Sequence, residues 1–183
     1  MKTRTTVALL IFIFLSACNG SASDKVPTET PEPRLPFPFI TEVSRYSEVM
    51  ESSDDTPLLD HFPETIPSEA SNVKFAYQPR IMQGAMFLEL LMVLPEGQVN
   101  DLWTQYSGLE KYQFSEDKTL EDIPEPILFL IRDENHELDR NFVIFFIDAQ
   151  PAGQDNFPWN HGTMYGVGIN KANFEVIYWL QYW

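Results

Sequence analysis

Along the chain the spacing of apolar residues changes several times, and each change predicts an element. Over 72–78, NVKFAYQ, the residues Val73, Phe75 and Tyr77 alternate with their neighbours at the two-residue period of a half-buried strand. Residues 79–84, PRIMQG, read as a turn, and 86–94 as a second strand, apolar on both faces apart from Glu89. Leu94-Pro95-Glu96 then opens a helix, because proline suits an early helical position and an acid in the first turn complements the helix dipole. Val99, Leu102, Trp103 and Tyr106 recur at helical spacing as its buried stripe, and Gly108 ends it after Ser107. Residues 109–126 are polar and acidic, carry Pro124 and Pro126, and read as loop, while 127–131 is a short apolar run of undecided type. The segment 141–149, NFVIFFIDA, is apolar on both faces and rich in β-formers, which predicts a strand in mid-sheet. Residues 163–169 and 174–183 make the last two strands, joined by the short loop 170–173. Gly166 and Gly168 fall on one face and leave a slot that a neighbour such as Trp179 would fill. The order β-β-α-β-β-β predicts a single α+β domain, a mostly antiparallel sheet of about five strands with one main helix packed on a face.

The beginning of the chain follows other patterns. A basic start, MKTRTT, precedes an unbroken apolar run over 7–15, VALLIFIFL, and then Leu15-Ser16-Ala17-Cys18. That is the layout of an export signal, here 1–17, with small residues at its cleavage site. The run is too short to cross a bilayer core of roughly 30 Å as a helix. Leu15, Ser16, Ala17 and Cys18 match the lipobox, and in this the N-terminus resembles the bacterial lipoproteins. The resemblance implies cleavage before Cys18, a diacylglycerol on its thiol and an acyl chain such as palmitate on the new amino group. It also implies a protein held on the extracytoplasmic face of a bacterial membrane through lipid on Cys18. Because Cys18 is the only cysteine, no intrachain disulfide can form, and lipidation accounts for a lone thiol in an exported chain. Each buried methylene contributes about 0.8 kcal/mol, so two or three acyl chains anchor firmly. Over 18–57, Pro27, Pro31, Pro33, Pro36 and Pro38 interrupt a run of Ser, Thr and Glu, which predicts an extended tether ahead of a globular domain at 58–183. Within it, LPFPFI at 35–40 is apolar enough to dock on the domain, and 42–50 has the composition of a short helix.

Length and composition fit that division. Of 183 residues, 44% are hydrophobic and 14% aromatic, enough to build one real core. The 12 basic residues less Lys2 and Arg4 of the signal leave 10 against 27 acidic, a formal −17. Such a surface repels phosphate backbones and anionic head groups, which excludes nucleic acid as a partner, and it keeps an exported protein soluble.

Candidate chemistry is sparse. No HExxH or paired-cysteine pattern occurs, so neither a metal nor another cofactor is expected. His61, His161 and a carboxylate such as Asp148 could assemble a metal site only through the fold, since no local spacing joins them. Asp133, Asn135, Glu137 and Asp139 alternate like the first ligands of a calcium loop. The likeness fails at Leu138, where the turn glycine belongs, and at Ile144, where the bidentate carboxylate belongs. GxSxG is missing, and Gly162, Gly166 and Gly168 lie in a predicted strand instead of a phosphate-cradling turn. What remains is the loop 156–162, NFPWNHG. Its Phe157, Trp159, Asn160 and His161 put two aromatic faces, an amide and an imidazole together, a composition suited to a sugar or a peptide. The competing reading is structural, with Trp159 capping the core and Asn160 and His161 satisfying backbone groups at a strand entrance.

Two stretches, DHFPETIP at 60–67 with NVKFAYQP at 72–79, and WNHGTMYG at 159–166 running on to Ile177-Tyr178-Trp179, resemble an uncharacterised family of small bacterial lipoproteins. They touch about a third of the mature chain. The resemblance implies a secreted, lipid-anchored domain and carries no activity or catalytic residue with it. The expected function is a non-catalytic envelope lipoprotein that binds an envelope protein, a peptide or a glycan. The alternatives are an envelope hydrolase, with His161 as general base oriented by Asp148 or Asp60, and an assembly accessory acting by its surface alone.

Overall fold

A computed structural model describes residues 39–52, 56–80, 84–109, 113–114 and 123–183, all within one compact unit, Pro33–Trp183. Cys18, the signal and the tether up to residue 38 lie outside the described residues, as do most residues of the loop at 109–126. Six strands, β1 (Ser71–Gln78), β2 (Met86–Val93), β3 (Gln113–Phe114), β4 (Val143–Pro151), β5 (Gly162–Asn170) and β6 (Glu175–Tyr182), form one sheet. Every pairing is antiparallel, in the order β1-β2-β6-β5-β4-β3. With β3 only two residues long, the sheet is in substance five strands, and the domain is α+β. Its helices are α1 (Tyr46–Ser52), α2 (Thr56–Leu59) and the main one, α3 (Glu96–Ser107).

Local chemistry explains the joints. Pro95, which has no N–H to lose, stands just before α3, and the helix buries Val99 and Tyr106 while Leu102 and Trp103 stay half-buried. The Trp103 ring meets Phe145 edge-on at 5.4 Å between centroids. The hairpin between β5 and β6 closes on buried Asn170. Its amide oxygen accepts from the Ala172 N–H at 3.1 Å, and its amide nitrogen donates to Glu175 at 2.9 Å. Along β5, Trp179 lies opposite Gly166 and Ile177 opposite Gly168. A Cβ on Gly168 would come within 2.7 Å of both Ile144 and Ile177, so the slot is already filled from either side.

Two expectations need correcting. Residues 40–52, read as part of the tether, pack on the domain. Ile40 exchanges two backbone hydrogen bonds with Tyr77 at 2.8 and 2.9 Å, Tyr46 and Val49 are buried in the core, and the short helix expected over 42–50 is present as a 3-10 turn at Val43–Arg45 that runs on into α1. The segment 141–149, expected in mid-sheet, gives β4, whose outer edge pairs only with β3. It is apolar on both faces because both faces of the sheet are covered, not because it is central.

One face carries the larger core, where Phe75, Leu88, Leu90, Phe145, Val167 and Leu180 pack beneath α3, α1 and the segment around Phe62. On the other face Leu91, Ile144, Phe146, Ile177 and Trp179 are covered by Leu128, Ile131 and Phe142. Among the described residues this second cover has no α-helix, only a 3-10 turn at Phe129–Ile131, and the sheet holds it with two buried polar side chains. Glu89 of β2 accepts the Phe129 and Leu130 N–H groups, one on each carboxylate oxygen and both at 2.9 Å. Gln181 of β6 grips the backbone of Ile127, its oxygen accepting the N–H at 3.1 Å and its amide donating to the carbonyl. Glu89 and Gln181 are each at most 1% exposed.

Burial pushes the Glu89 carboxyl up to about 7, against the pull of the two backbone donors and of Arg132. A carboxyl raised from 4.5 to about 7 by folding gives stability that is full below pH 4.5 and lost as pH rises through 7. At about 1.4 kcal/mol per tenfold change in proton affinity, the loss is on the order of 3 kcal/mol. Glu89→Gln, which cannot ionise, should therefore gain on the wild type by roughly that amount between pH 4.5 and 7.5, measured by urea unfolding across pH. Glu89→Leu leaves two buried N–H groups unpaired and should lose about 2–4 kcal/mol at low pH.

Candidate functional site

The loop 152–161, which holds the aromatic residues singled out from the sequence, is a compact turn. Gly153 donates to the Pro158 carbonyl at 2.8 Å, Phe157 to that of Gln154 at 2.7 Å, and Ala152 to that of His161 at 2.7 Å. A Cβ on Gly153 would collide with the carbonyl oxygens of Phe157 and Pro158 at 2.0 and 2.7 Å, so the turn requires glycine there. Trp159 is half-buried. Its ring stacks on Trp183 at 6.2 Å and lies over Gly162, and its carbonyl accepts the Trp183 indole N–H at 2.9 Å. Together these contacts tie the loop to Trp183, just past the end of β6. Phe157 is the exposed member at 72% of its surface, and Asn160 and His161 are exposed beside it.

The acids proposed as partners for His161 stand elsewhere. Asp148 pairs with Tyr165 across β4 and β5 and accepts the Gln150 amide at 2.6 Å and the Ala149 N–H at 2.8 Å. Tyr165 stands four positions after His161, about 13 Å along the strand. Asp60 belongs to the segment beside His61 on the helix-covered face. Among the described residues no group of three His, Cys, Asp or Glu is placed to hold a metal ion, so His61, His161 and Asp148 do not converge. The calcium-like stretch is a tight hairpin in which the Asp133 carboxylate accepts the N–H groups of Asn135 and Glu137 at 2.8 and 2.9 Å. These bonds hold that carboxyl below its usual range.

A different set of side chains does converge. Between the 57–63 segment, the C-terminal half of α3 and the strands β4, β5 and β6 lies an open groove of about 570 Å³. Tyr165, Tyr178 and Ile147 form its floor, Leu102, Gln105 and Tyr106 one wall, and Asp60, His61 and Phe62 the other. The fold supplies this arrangement directly, because Tyr165 and Tyr178 are on neighbouring strands and on the same face as the helix. His61 sits with ring centroids 4.5 Å from Phe62 and 5.2 Å from Tyr165, and its Nε2–H donates to the Trp179 carbonyl at 3.2 Å. The opposite ring nitrogen is buried with no partner among the described residues, as suits a neutral imidazole. Burial pushes His61 down to about 4, with the Trp179 carbonyl pulling the other way. Burial also raises the phenols of Tyr106, Tyr165 and Tyr178, and for Tyr165 the charges of Asp148 and Asp60 add to it. At neutral pH the groove therefore presents aromatic faces, protonated hydroxyls and a neutral ring, with the one acid Asp60 among its lining residues.

Sequence reasoning singled out His61 but gave it no setting, and it assigned Tyr106 only to the helix stripe. The available signal was parity, since Tyr165 and Tyr178 fall on the same face as Val167 and Leu180 once the hairpin register is known. Comparison of the chain with family models, with curated proteins and with solved structures finds no match in any of the three. Among the described residues no helix is long and apolar enough to cross a membrane.

His61 is a base lowered from 6.5 to about 4 by folding, so its contribution to stability is full above pH 6.5 and lost as pH falls through 4. His61→Gln, which keeps an N–H donor, should flatten the loss of stability between pH 6.5 and 4 when unfolding is followed by circular dichroism. In the loop, Trp159→Ala should cost about 1–2 kcal/mol through the lost stack on Trp183. Phe157→Ala should change stability by less than about 0.5 kcal/mol in the same measurement.

Proposed function

We propose that the protein is a bacterial envelope lipoprotein, anchored on the extracytoplasmic face through lipid on Cys18, whose domain binds a ligand or partner without turning it over. The lipobox of Leu15, Ser16, Ala17 and Cys18 and the lone thiol support the anchored half of this reading. The binding half rests on the groove between α3 and the sheet, whose aromatic floor and few polar groups have the composition of a small-ligand site. It is a better candidate than the 156–162 loop, whose larger ring is already engaged by Trp183. His61 gives its N–H to the Trp179 carbonyl, which fixes the ring as part of the groove wall.

The two halves are tested separately. Mass spectrometry of the mature chain should find acyl chains on Cys18, and Cys18→Ser should leave an unlipidated product. Indole, an uncharged and water-soluble aromatic, should bind the full chain saturably and one to one, with shifts of the Tyr165 and Tyr178 ring signals in NMR titration. Gln105→Trp, at an exposed position on the wall of the groove, should weaken that binding at least about tenfold by filling the site, with an unchanged unfolding midpoint. Indole binding that ignores Gln105→Trp would remove the groove from the reading.

A further inference from the structure

We infer that the groove takes an alkylammonium group, its cation lodged against the Tyr165 face and beside Asp60. The inference rests on the reading of the groove as a binding site and names the chemistry that fits it. Charge is the first reason. Asp60 lines the groove, Asp148 is the cross-strand partner of Tyr165, and among the described residues no Lys or Arg lines the groove. A bound anion would face the Asp60 carboxylate with no compensating cation in the lining, whereas an ammonium would find both that carboxylate and a π-face. The aromatic surface is the second. The half-buried Tyr165 ring lines the groove, with His61 packed 5.2 Å from it and Tyr178 a further neighbour of His61 at 6.5 Å, so these rings form one aromatic patch on which a cation can rest. His61, neutral at physiological pH, adds no repulsion.

The same fold already places its own cations in this way. Arg80 stands 4.1 Å above the Tyr182 ring, and the Lys171 ammonium 5.0 Å above that of Trp103. An alkylammonium also explains the mixed walls better than a sugar does. Leu102, Ile147 and Phe62 give an apolar surface for methyl or methylene groups, while the charged head needs only one side of the site.

The experiment uses the full chain and two matched pairs of probes, each pair differing in charge and hardly in shape. Choline is compared with 3,3-dimethylbutan-1-ol, and N-acetyl-lysine methylamide with N-acetyl-norleucine methylamide, by NMR titration at pH 7. The cation of at least one pair should bind about tenfold more tightly than its neutral mate. Which pair shows the preference tells a quaternary head group from a lysine side chain. Asp60→Asn should narrow that ratio to about threefold or less, and Tyr165→Leu should weaken the cation further, with unfolding midpoints confirming that both variants fold. Equal affinity within both pairs overturns the inference, as does a preference that survives both substitutions. If indole binds the groove while no cation is preferred, only this inference fails. If neither indole nor any cation binds there, the binding reading fails with it.

Discussion

Two hydrogen bonds from the backbone of Phe129 and Leu130 to a buried carboxylate hold together the less regular half of this domain. A sheet that is apolar on both faces needs two covers. On one side α3 and the preceding segments supply a helical layer that packs by shape. On the other the described cover is an irregular run of chain with a 3-10 turn at Phe129–Ile131, whose main-chain polar groups would be stranded over an apolar sheet. Glu89 and Gln181, on adjacent strands and facing the same way, receive those groups. The arrangement is specific because it fixes which residue of the covering segment lies over which strand, a choice that non-directional apolar contacts alone leave open.

The helical side has a different consequence. Tyrosines at neighbouring positions of β5 and β6 lie beneath the helix, where its end and the 57–63 segment leave a gap above them. His61 is pinned at the border of that gap by a main-chain carbonyl of β6 and flanked by aromatic rings. The two buried titratable groups, Glu89 on one face and His61 on the other, lean in opposite directions. Acid charges one and alkali the other, and both are neutral between roughly pH 4 and 7.

Much of the fold was legible in the sequence. Alternation gave β1, helical spacing gave α3, and the final hairpin followed from two β-rich runs around 170–173. Glu89 was visible as the one charge in an apolar strand, but its partners are backbone N–H groups of a segment 40 and 41 residues away, and main-chain donors leave no mark in a sequence. The segment 141–149 was placed too centrally because an apolar run reports that both its faces are covered and not how many strands flank it. Residues 40–52 were assigned to the tether because proline density just upstream masked the apolar side chains of Tyr46 and Val49. The groove stayed hidden for a related reason. Its residues come from five parts of the chain, and none of them is unusual for its own element.

The outer margin of β1 is paired with Ile40, contributed by the chain's own approach to the sheet, and the opposite margin is reduced to the two residues of β3. An open strand edge is a template for pairing with another molecule. A long bare margin would favour edge-to-edge growth into fibres. By laying Ile40 along the first strand, the molecule interrupts that template near the point where its polypeptide enters the sheet.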